Sequence, residues 1–244
     1  GMNNFINAQG FGSMGMITVL LGAVVNIILD PVFIFALGMG VQGAALATIL
    51  SQTVSAIMVT VLLVREEGAM HLDLRHLGIH KKAMLQIIQI GLPAGLQNSI
   101  ISIGNVVVQS NINQFGAAAM AGCGAHSRIE GFGFLPVTCF TMALTTFVSQ
   151  NLGAKAYDRV KKGIRVGIFC SVTIAETVAL LIFIFSPKLI GLFTGDAESI
   201  AFGVMHERTT TPFFFLLAYS HAIASICRGA GKAFVPMMIM LSAR

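Results

Sequence analysis

Residues 14–37 read MGMITVLLGAVVNIILDPVFIFAL, and Asp30 is the one charged side chain among them. The hydrocarbon core of a bilayer is about 30 Å thick and is crossed by about 20 apolar helical residues, so this stretch is long enough to span it. Stretches that meet or approach the same criteria follow at residues 41–64, 84–115, 117–150, 164–185 and 207–227. The sequence therefore predicts an all-α, polytopic helical membrane protein with six transmembrane helices in this chain.

The overall composition excludes a water-soluble domain. Hydrophobic residues make up 55% of the chain, charged residues make up 10%, and the mean hydropathy is +0.83. A soluble domain carries roughly 25% charged residues, which cover the surface that faces water. The net charge is +5, but the basic residues lie between the apolar stretches and not on one solvated face. We therefore expect membrane lipid, and no nucleic acid, around this chain.

The basic residues also predict how the helices are oriented. The connections at 65–82 and 151–163 are rich in Lys and Arg, whereas the turns at 38–40 and 115–116 carry no charge. Lys and Arg concentrate in the cytoplasmic loops of membrane proteins, so the basic connections are predicted to be cytoplasmic and the uncharged turns external. This alternation holds over all six spans and predicts a multi-pass protein of the cell membrane, of the bacterial plasma-membrane type.

A weak internal repeat suggests two homologous halves. Residues 7–16 and 228–237 are both turns that open an apolar stretch, and Gly10 in the first matches Gly231 in the second. Transporters are often built from two such halves. Chance similarity of two Gly-rich turns is the alternative explanation.

Several motifs follow one another along the chain. They are NIILDPVFIF at 26–35, GVQGAALATILSQ at 40–52, GLPAG at 91–95, SRIE at 127–130, LP at 135–136, VSQNLGA at 148–154, and RGAG at 228–231 with Pro236. In this order they resemble helices five to ten of multidrug and toxic compound extrusion (MATE) transporters. The resemblance implies twelve helices in two six-helix lobes around a central cavity. It assigns 1–64 to the end of the N-lobe (helices five and six), 65–82 to a cytoplasmic linker, and 83–244 to helices seven to ten of the C-lobe. It also implies a monomer at full length, and we expect this stretch alone to be inactive.

Asn26 and Asp30 form a candidate cation site in the first span. Their four-residue spacing places both side chains on one face of a helix, where a carboxylate and an amide oxygen can bind a hard monovalent cation or hold a proton. Similar MATE transporters build such a site from this pair, a Thr that matches Thr48, and an Asp of helix one outside this chain. The resemblance thus implies H⁺ or Na⁺ as coupling ion, with no other metal and no organic cofactor. In the alternative interpretation, Asp30 ends a helix before Pro31 at the membrane surface.

Polar side chains within the other spans are candidates for a substrate cavity. They are Gln97, Asn98 and Asn105 in the third span, Glu130 in the fourth, Glu176 in the fifth and His221 in the sixth. Amides in lipid either join helices or line a cavity. Ionisable groups inside a span are costly and therefore need a protein partner or a wet cavity. Structural pairing within the helical bundle is the alternative for each of them.

The resemblance to MATE transporters, together with these candidate residues, implies a secondary active transporter that exports amphipathic, mainly cationic organic compounds by H⁺ or Na⁺ antiport. The expected scheme is alternating access, in which two lobes rock about a cavity at the midplane. A related lipid-linked oligosaccharide flippase is an alternative, but it needs a cationic cavity, for which only Arg128 is a candidate here. An intramembrane enzyme is a third alternative. We expect no enzymatic activity, since the sequence contains no G-x-S-x-G, H-E-x-x-H or P-loop motif.

The predicted topology can be tested by cysteine labelling in intact cells, after the native cysteines are replaced by Ser. Lys81→Cys and Lys161→Cys should both be protected from a membrane-impermeant maleimide, because both basic connections are predicted to be cytoplasmic. Lys188→Cys, in the predicted external connection, should react. Labelling of Lys81→Cys and Lys161→Cys from opposite sides would contradict this topology.

Overall fold

The computed structural model describes residues 2–8, 11–65, 78 and 80–242 of the chain. Gly10 of the internal repeat and most of the predicted linker at 65–82 lie outside the described residues. The chain divides into two compact units, Gly1–Ile79 and His80–Arg244, and the boundary between them falls within the predicted linker.

Helices make up nearly all of the described chain, because an apolar segment in lipid has to satisfy its backbone hydrogen bonds internally. The first unit contains α1 (Met2–Ala8), α2 (Gly12–Pro31), a π-helical segment (Val32–Ala36) and α3 (Gly40–Arg65). The second unit contains α4 (Lys81–Ile112), α5 (Ala117–Gly153), α6 (Tyr157–Gly191), α7 (Ala197–Thr210), α8 (Phe214–Gly229) and α9 (Phe234–Ser242). Short 3-10 turns at Asn113–Phe115 and Thr211–Phe213 lead into α5 and α8.

Five helical stretches of the described chain are long and apolar enough to cross a bilayer, which confirms the polytopic helical fold. They are Gly12–Ala36, Gly40–Arg65, Ala117–Gly153, Tyr157–Gly191 and Ala197–Gly229. The third predicted span also forms one long helix, α4, but the Gln and Asn side chains along it lower its mean hydropathy and it is not one of the five. The sixth predicted span begins at Ala197 and not at Glu207, because α7 and α8 form one nearly continuous helical stretch.

Most large apolar side chains point outward. Phe35 is 81% exposed and Val41 is 88% exposed, and exposed aliphatic side chains continue along all the long helices. A soluble protein rarely exposes large contiguous apolar patches. Lipid tails are as apolar as these side chains, so this surface fits a bilayer.

The helices of the first unit pack through small residues. A Cβ added to Gly22 of α2 would lie 2.0 Å from the hydroxyl oxygen of Ser55 on α3, which donates a 3.0 Å hydrogen bond to the carbonyl of Thr18. A Cβ added to Gly43 of α3 would lie 2.8 Å from the backbone carbonyl of Phe33 in the π-helical segment. These two glycines therefore allow the backbones of α2, α3 and the π-helical segment to approach closely.

Helix α5 is the centre of the second unit and packs against α6, α7 and α8. The second unit has two buried apolar clusters. One consists of Ala125, Ile129, Ile182 and Ile190, and the other consists of Val137, Ala175 and Ala218. The chain enters α5 through Gly116, whose φ of 93° lies in the left-handed region that glycine adopts most easily. This turn is one of the two uncharged turns predicted from the sequence.

Helix α7 begins with a side-chain cap outside the membrane-spanning stretches. The hydroxyl and the backbone N–H of Ser199 donate hydrogen bonds of 2.7 and 2.9 Å to Oδ2 of Asp196. These hydrogen bonds hold the pKa of the Asp196 carboxyl below its ordinary value, and the bond from the Ser199 hydroxyl has the largest effect. The cap satisfies a backbone donor at the start of the helix and so fixes where α7 starts.

Helices α5 and α7 approach each other at two glycines. A Cβ added to Gly122 would lie 2.3 Å from the carbonyl oxygen of Ser199, and a Cβ added to Gly203 would lie 2.9 Å from the carbonyl oxygen of Gly122. One helical turn further along lie His126 on α5 and Glu207 on α7. The glycine contact therefore sets the distance between two ionisable side chains.

Gly122→Ala should destabilise the protein by roughly 1–3 kcal/mol, the usual cost of overpacking, because the two nearest atoms it would meet belong to the backbone of α7. Thermal denaturation in detergent measures this loss. Gly124→Ala is the matched control on the same helix, since its Cβ would meet nothing within 4 Å. Equal Tm values for the two variants would show that the helices do not touch at Gly122.

Candidate functional site

Asn26 and Asp30 lie on one face of α2, as their spacing predicts. The side-chain N–H of Asn26 donates to Oδ1 of Asp30 over 3.4 Å, and both residues are half-buried. The nitrogen of the amide is thus directed to the carboxylate. The amide oxygen of Asn26 can then accept a hydrogen bond or bind a cation.

Asn26 also lines a cavity between α2 and α3. The cavity has a volume of about 390 Å³. Its lining residues are Val19, Gly22, Ala23, Asn26, Thr48, Ser51, Gln52 and Ser55. Thr48 donates its hydroxyl proton to the carbonyl of Ala44 over 2.9 Å, which leaves the lone pairs of the hydroxyl oxygen for a ligand. Asn26 is therefore the residue that connects Asp30 to the cavity shared with Thr48.

Asp30 lies inside the first membrane-spanning stretch. The helical backbone continues through Pro31 into the π-helical segment Val32–Ala36, where the N–H of Leu37 donates to the carbonyl of Val32, five residues earlier, over 3.0 Å. The helix therefore does not stop at Asp30, as the alternative interpretation required. Single π-helical turns within α-helices frequently occur at functional sites.

The six predicted cavity residues do not meet at one place. Gln97 is buried on α4 and lines a cavity of about 220 Å³ whose other walls come from α8 and α9. Asn98 and Asn105 are exposed on the same helix. Among the residues that the structure describes, none of the other five candidates lines that cavity.

Glu176 and His221 have different surroundings. Oε2 of Glu176 is buried and has no hydrogen-bond partner among the described residues, so this carboxyl still needs a ligand or a proton. Nδ1 of His221 lies 2.9 Å from the carbonyl oxygen of Leu217, and its ring meets the ring of Phe134 edge-on at 5.1 Å. These contacts match the packing alternative given for His221.

The most buried ionisable pair of the second unit is absent from the sequence-based candidates. His126 is 2% exposed, Glu207 is 0% exposed, and Nδ1 of His126 contacts Oε2 of Glu207 directly. The hydroxyl of Thr211 donates to Oε1 of Glu207 over 2.8 Å. On the other side of the imidazole, Nε2 lies 3.8 Å from Oε2 of Glu130. Glu130, predicted to face a cavity, thus lies at the exposed edge of an ionisable cluster whose other two members, His126 and Glu207, are buried.

His206 extends this cluster. Its ring centroid lies 4.0 Å from that of His126, and its Nδ1 is buried with no hydrogen-bond partner in the described ranges. His206 also lines a cavity of about 360 Å³ whose other residues come from α4, α5, α7 and the turn after α4. No group of three or more His, Cys, Asp and Glu side chains in the described chain could hold a metal ion.

Part of this cluster was visible in the sequence. His126 and Glu130 are four residues apart, which places them on one face of a helix. The contact between His126 and Glu207 joins residues 81 positions apart, and no local pattern indicates it.

Comparison with known proteins agrees with the resemblance. The family model MatE matches residues 93–243. The chain is 26% identical, over 98% of its length, to the probable multidrug resistance protein YoeA of Bacillus subtilis (strain 168), of which it covers 53%. It is 31% identical, over 92% of its length, to the probable multidrug resistance protein NorM of Thermotoga maritima, of which it covers 49%.

A solved structure gives the same result for the fold. The outward-facing conformation of a multidrug resistance MATE family transporter of the MOP superfamily superposes with a TM-score of 0.87 at 25% identity, covering 98% of this chain and 54% of that one. The chain therefore spans about half the length of the relatives it matches. Members of this family are transporters and not enzymes. From the family match and the apolar helices we conclude that the chain belongs to the MatE family and is a multi-pass protein of the cell membrane.

Proposed function

We propose that the protein containing this chain exports amphipathic organic compounds, mainly cations, and that inward movement of H⁺ or Na⁺ drives the export. Relatives over nearly the whole chain are named as multidrug resistance proteins, which supports small organic substrates. Alternating access of two lobes about a central cavity is the physical scheme that this function requires.

The observation that carries the proposal is that no basic side chain described in the first unit lies near Asp30. It is the one acidic residue described in the first unit, and Arg65 is the one basic residue described there. Arg65 ends α3, whose 26 residues begin just after the segment that follows Asp30. At about 1.5 Å per residue, the length of α3 is several times the range of an ion pair. A carboxylate inside a membrane span without a nearby basic side chain favours binding of a proton or a metal cation.

Asn26 and Thr48 give this carboxylate neutral partners. Na⁺ prefers oxygen ligands, which the Asp30 carboxylate, the amide oxygen of Asn26 and the Thr48 hydroxyl would supply. With H⁺ as the coupling ion, the N–H of Asn26 would stabilise the oxygen of Asp30 that carries no proton. In either case ion binding removes a negative charge beside the cavity between α2 and α3. A conformation that binds the ion more tightly is then favoured when the ion is present.

The second unit would supply part of the substrate cavity. Gln97 lines its cavity together with Tyr219, Ser220 and apolar residues, a combination that suits aromatic compounds with few polar groups. The flippase alternative gains no support from Arg128, whose guanidinium lies over the ring of Phe193 at 5.7 Å.

Asp30→Asn should abolish ion-driven efflux of ethidium from cells that express the protein, because the amide cannot change its charge. Asn26→Ala should reduce efflux by about 10–100-fold, the usual cost of losing a group that orients an ion ligand. The measurement is ethidium export, recorded as uptake into everted vesicles under an imposed H⁺ or Na⁺ gradient, with expression checked for each variant.

The matched control for this experiment is Asp158→Asn, the same substitution at an exposed position in the first turn of α6. It should leave efflux unchanged. Wild-type efflux by Asp30→Asn would refute the assigned role of the carboxylate. Absence of ethidium efflux from the wild-type protein, across both gradients and a panel of organic cations, would refute the proposed substrate class.

A further inference from the structure

We propose that His126 and Glu207 form a proton-binding site in the second unit, buried between α5 and α7, and that Glu130 exchanges its proton with the surroundings. The site is separate from the one proposed at Asp30 and does not depend on it. Its ligand is a proton, since the described cluster offers no set of three metal ligands.

The packing of the helices explains how this pair forms. Gly122 contacts Gly203, and four residues later in each helix His126 contacts Glu207. The residues of both contacts are the same number of positions apart in the sequence. Helices α5 and α7 therefore run in the same direction and face each other along one stripe. The glycines bring the backbones together, and this closeness lets a short carboxylate reach an imidazole directly. Thr211, one turn further along, holds the second carboxylate oxygen.

The chemistry of the pair requires a proton to neutralise it. Without an extra proton, the Glu207 carboxylate faces a neutral imidazole that carries its proton on Nδ1, and the pair has a charge of −1. Burial of such an uncompensated charge is unfavourable. A proton that binds at Nε2 of His126 makes the pair neutral overall, either as carboxylate and imidazolium or as carboxylic acid and imidazole. The nearly complete burial of both side chains is therefore best matched by the protonated pair.

Glu130 provides the route for this proton. Its side chain is 45% exposed, while that of His126 is 3% exposed, and its Oε2 lies 3.8 Å from Nε2 of His126. The imidazole thus has one nitrogen towards the buried carboxylate and the other towards a carboxylate that reaches the surroundings. Histidine can accept a proton on one nitrogen and release one from the other.

The titratable and charged groups around the site favour binding of one proton and disfavour binding of a second. The ring of His206 stacks on that of His126, so a second imidazolium there would be repelled. Arg128 on α5 and Arg208 on α7 lie over the rings of Phe193 and Phe183, at 5.7 and 5.6 Å, and not on Glu207. The remaining titratable or charged groups on these helices and on the C-terminal half of α6 are Cys123, Cys139, Glu176, Lys188 and Glu198, and the turn after α7 adds none.

The proposal can be tested on the purified protein that contains this chain, reconstituted in nanodiscs and carrying Asp30→Asn so that the first-unit carboxyl is removed. Infrared spectra of the carboxyl groups and ¹⁵N spectra of labelled histidine are recorded against pH. We expect the signals of the Glu207 carboxyl and of the His126 ring to change together with pH, as those of coupled groups do. Glu207→Gln should remove the carboxyl signal and shift the pH midpoint of the His126 ring signals.

The matched control is Glu176→Gln, the same substitution at a half-buried carboxyl on α6 whose Oε2 is buried, which should leave the His126 midpoint in place. If Glu207→Gln does not fold, Thr211→Val tests the same site, because loss of the hydroxyl at Oε1 should also move the midpoint. A His126 midpoint that is unaffected by both Glu207→Gln and Thr211→Val would overturn the proposal. Because efflux is not measured, this result is independent of the outcome for Asp30.

The role of Glu130 has its own measurement. Glu130→Gln should slow the exchange of the His126 ring N–H with D₂O by roughly 100-fold, a typical contribution of a positioned proton-transfer group. Glu198→Gln, an exposed carboxyl at the start of α7, should not slow it. Equal exchange rates in Glu130→Gln and in the wild-type protein would exclude Glu130 as the exchanging group.

Discussion

Lipid cannot solvate a carboxylate, and the arrangement of polar groups in both units follows from this constraint. In the first unit, Asp30 contacts one neutral amide beside a polar cavity, and the basic residue described there lies at the far end of α3. In the second unit, Glu207 contacts an imidazole and a hydroxyl and is completely buried. The first arrangement suits a group that exchanges an ion with an aqueous space. The second suits a group that holds a proton inside the protein.

Less polar side chains meet the same constraint within their own helices. The hydroxyls of Thr48, Thr53, Thr141 and Thr177 each donate to the carbonyl four residues earlier. Such bonds allow a hydroxyl to lie in an apolar span without a partner on another helix. The helices then contact one another mainly through small residues, as at Gly22, Gly43 and Gly122. Close packing is the main source of helix association in a membrane, where burial of apolar surface gives little advantage.

The sequence was sufficient to predict the long helices, but it did not predict the short helices α1 and α9 or how the helices contact one another. Apolar length predicted the five clear spans, and α4 forms one long helix at the remaining predicted span, although its amides lower its mean hydropathy. Local spacing predicted the contact of Asn26 with Asp30, because four residues make one helical turn. It could not predict the pair of His126 and Glu207, since that contact depends on the relative position of α5 and α7. Glu207 was predicted to start the sixth span. In the structure that span begins at Ala197, at the start of α7.

The π-helical segment after Asp30 has a mechanical consequence. Its hydrogen bonds join residues five apart where an α-helix joins residues four apart, so it contains one residue more than an α-helical turn would need. Successive residues of an α-helix are separated by about 100° around the axis. Rewinding this segment as α-helix would therefore turn Asp30 relative to the Gly38–Gly40 corner by about that angle without breaking the helix. The backbone at Phe33, pressed against Gly43 of α3, would have to slide during such a rotation. A change of winding at this one segment would therefore give the Asp30 carboxylate a new direction.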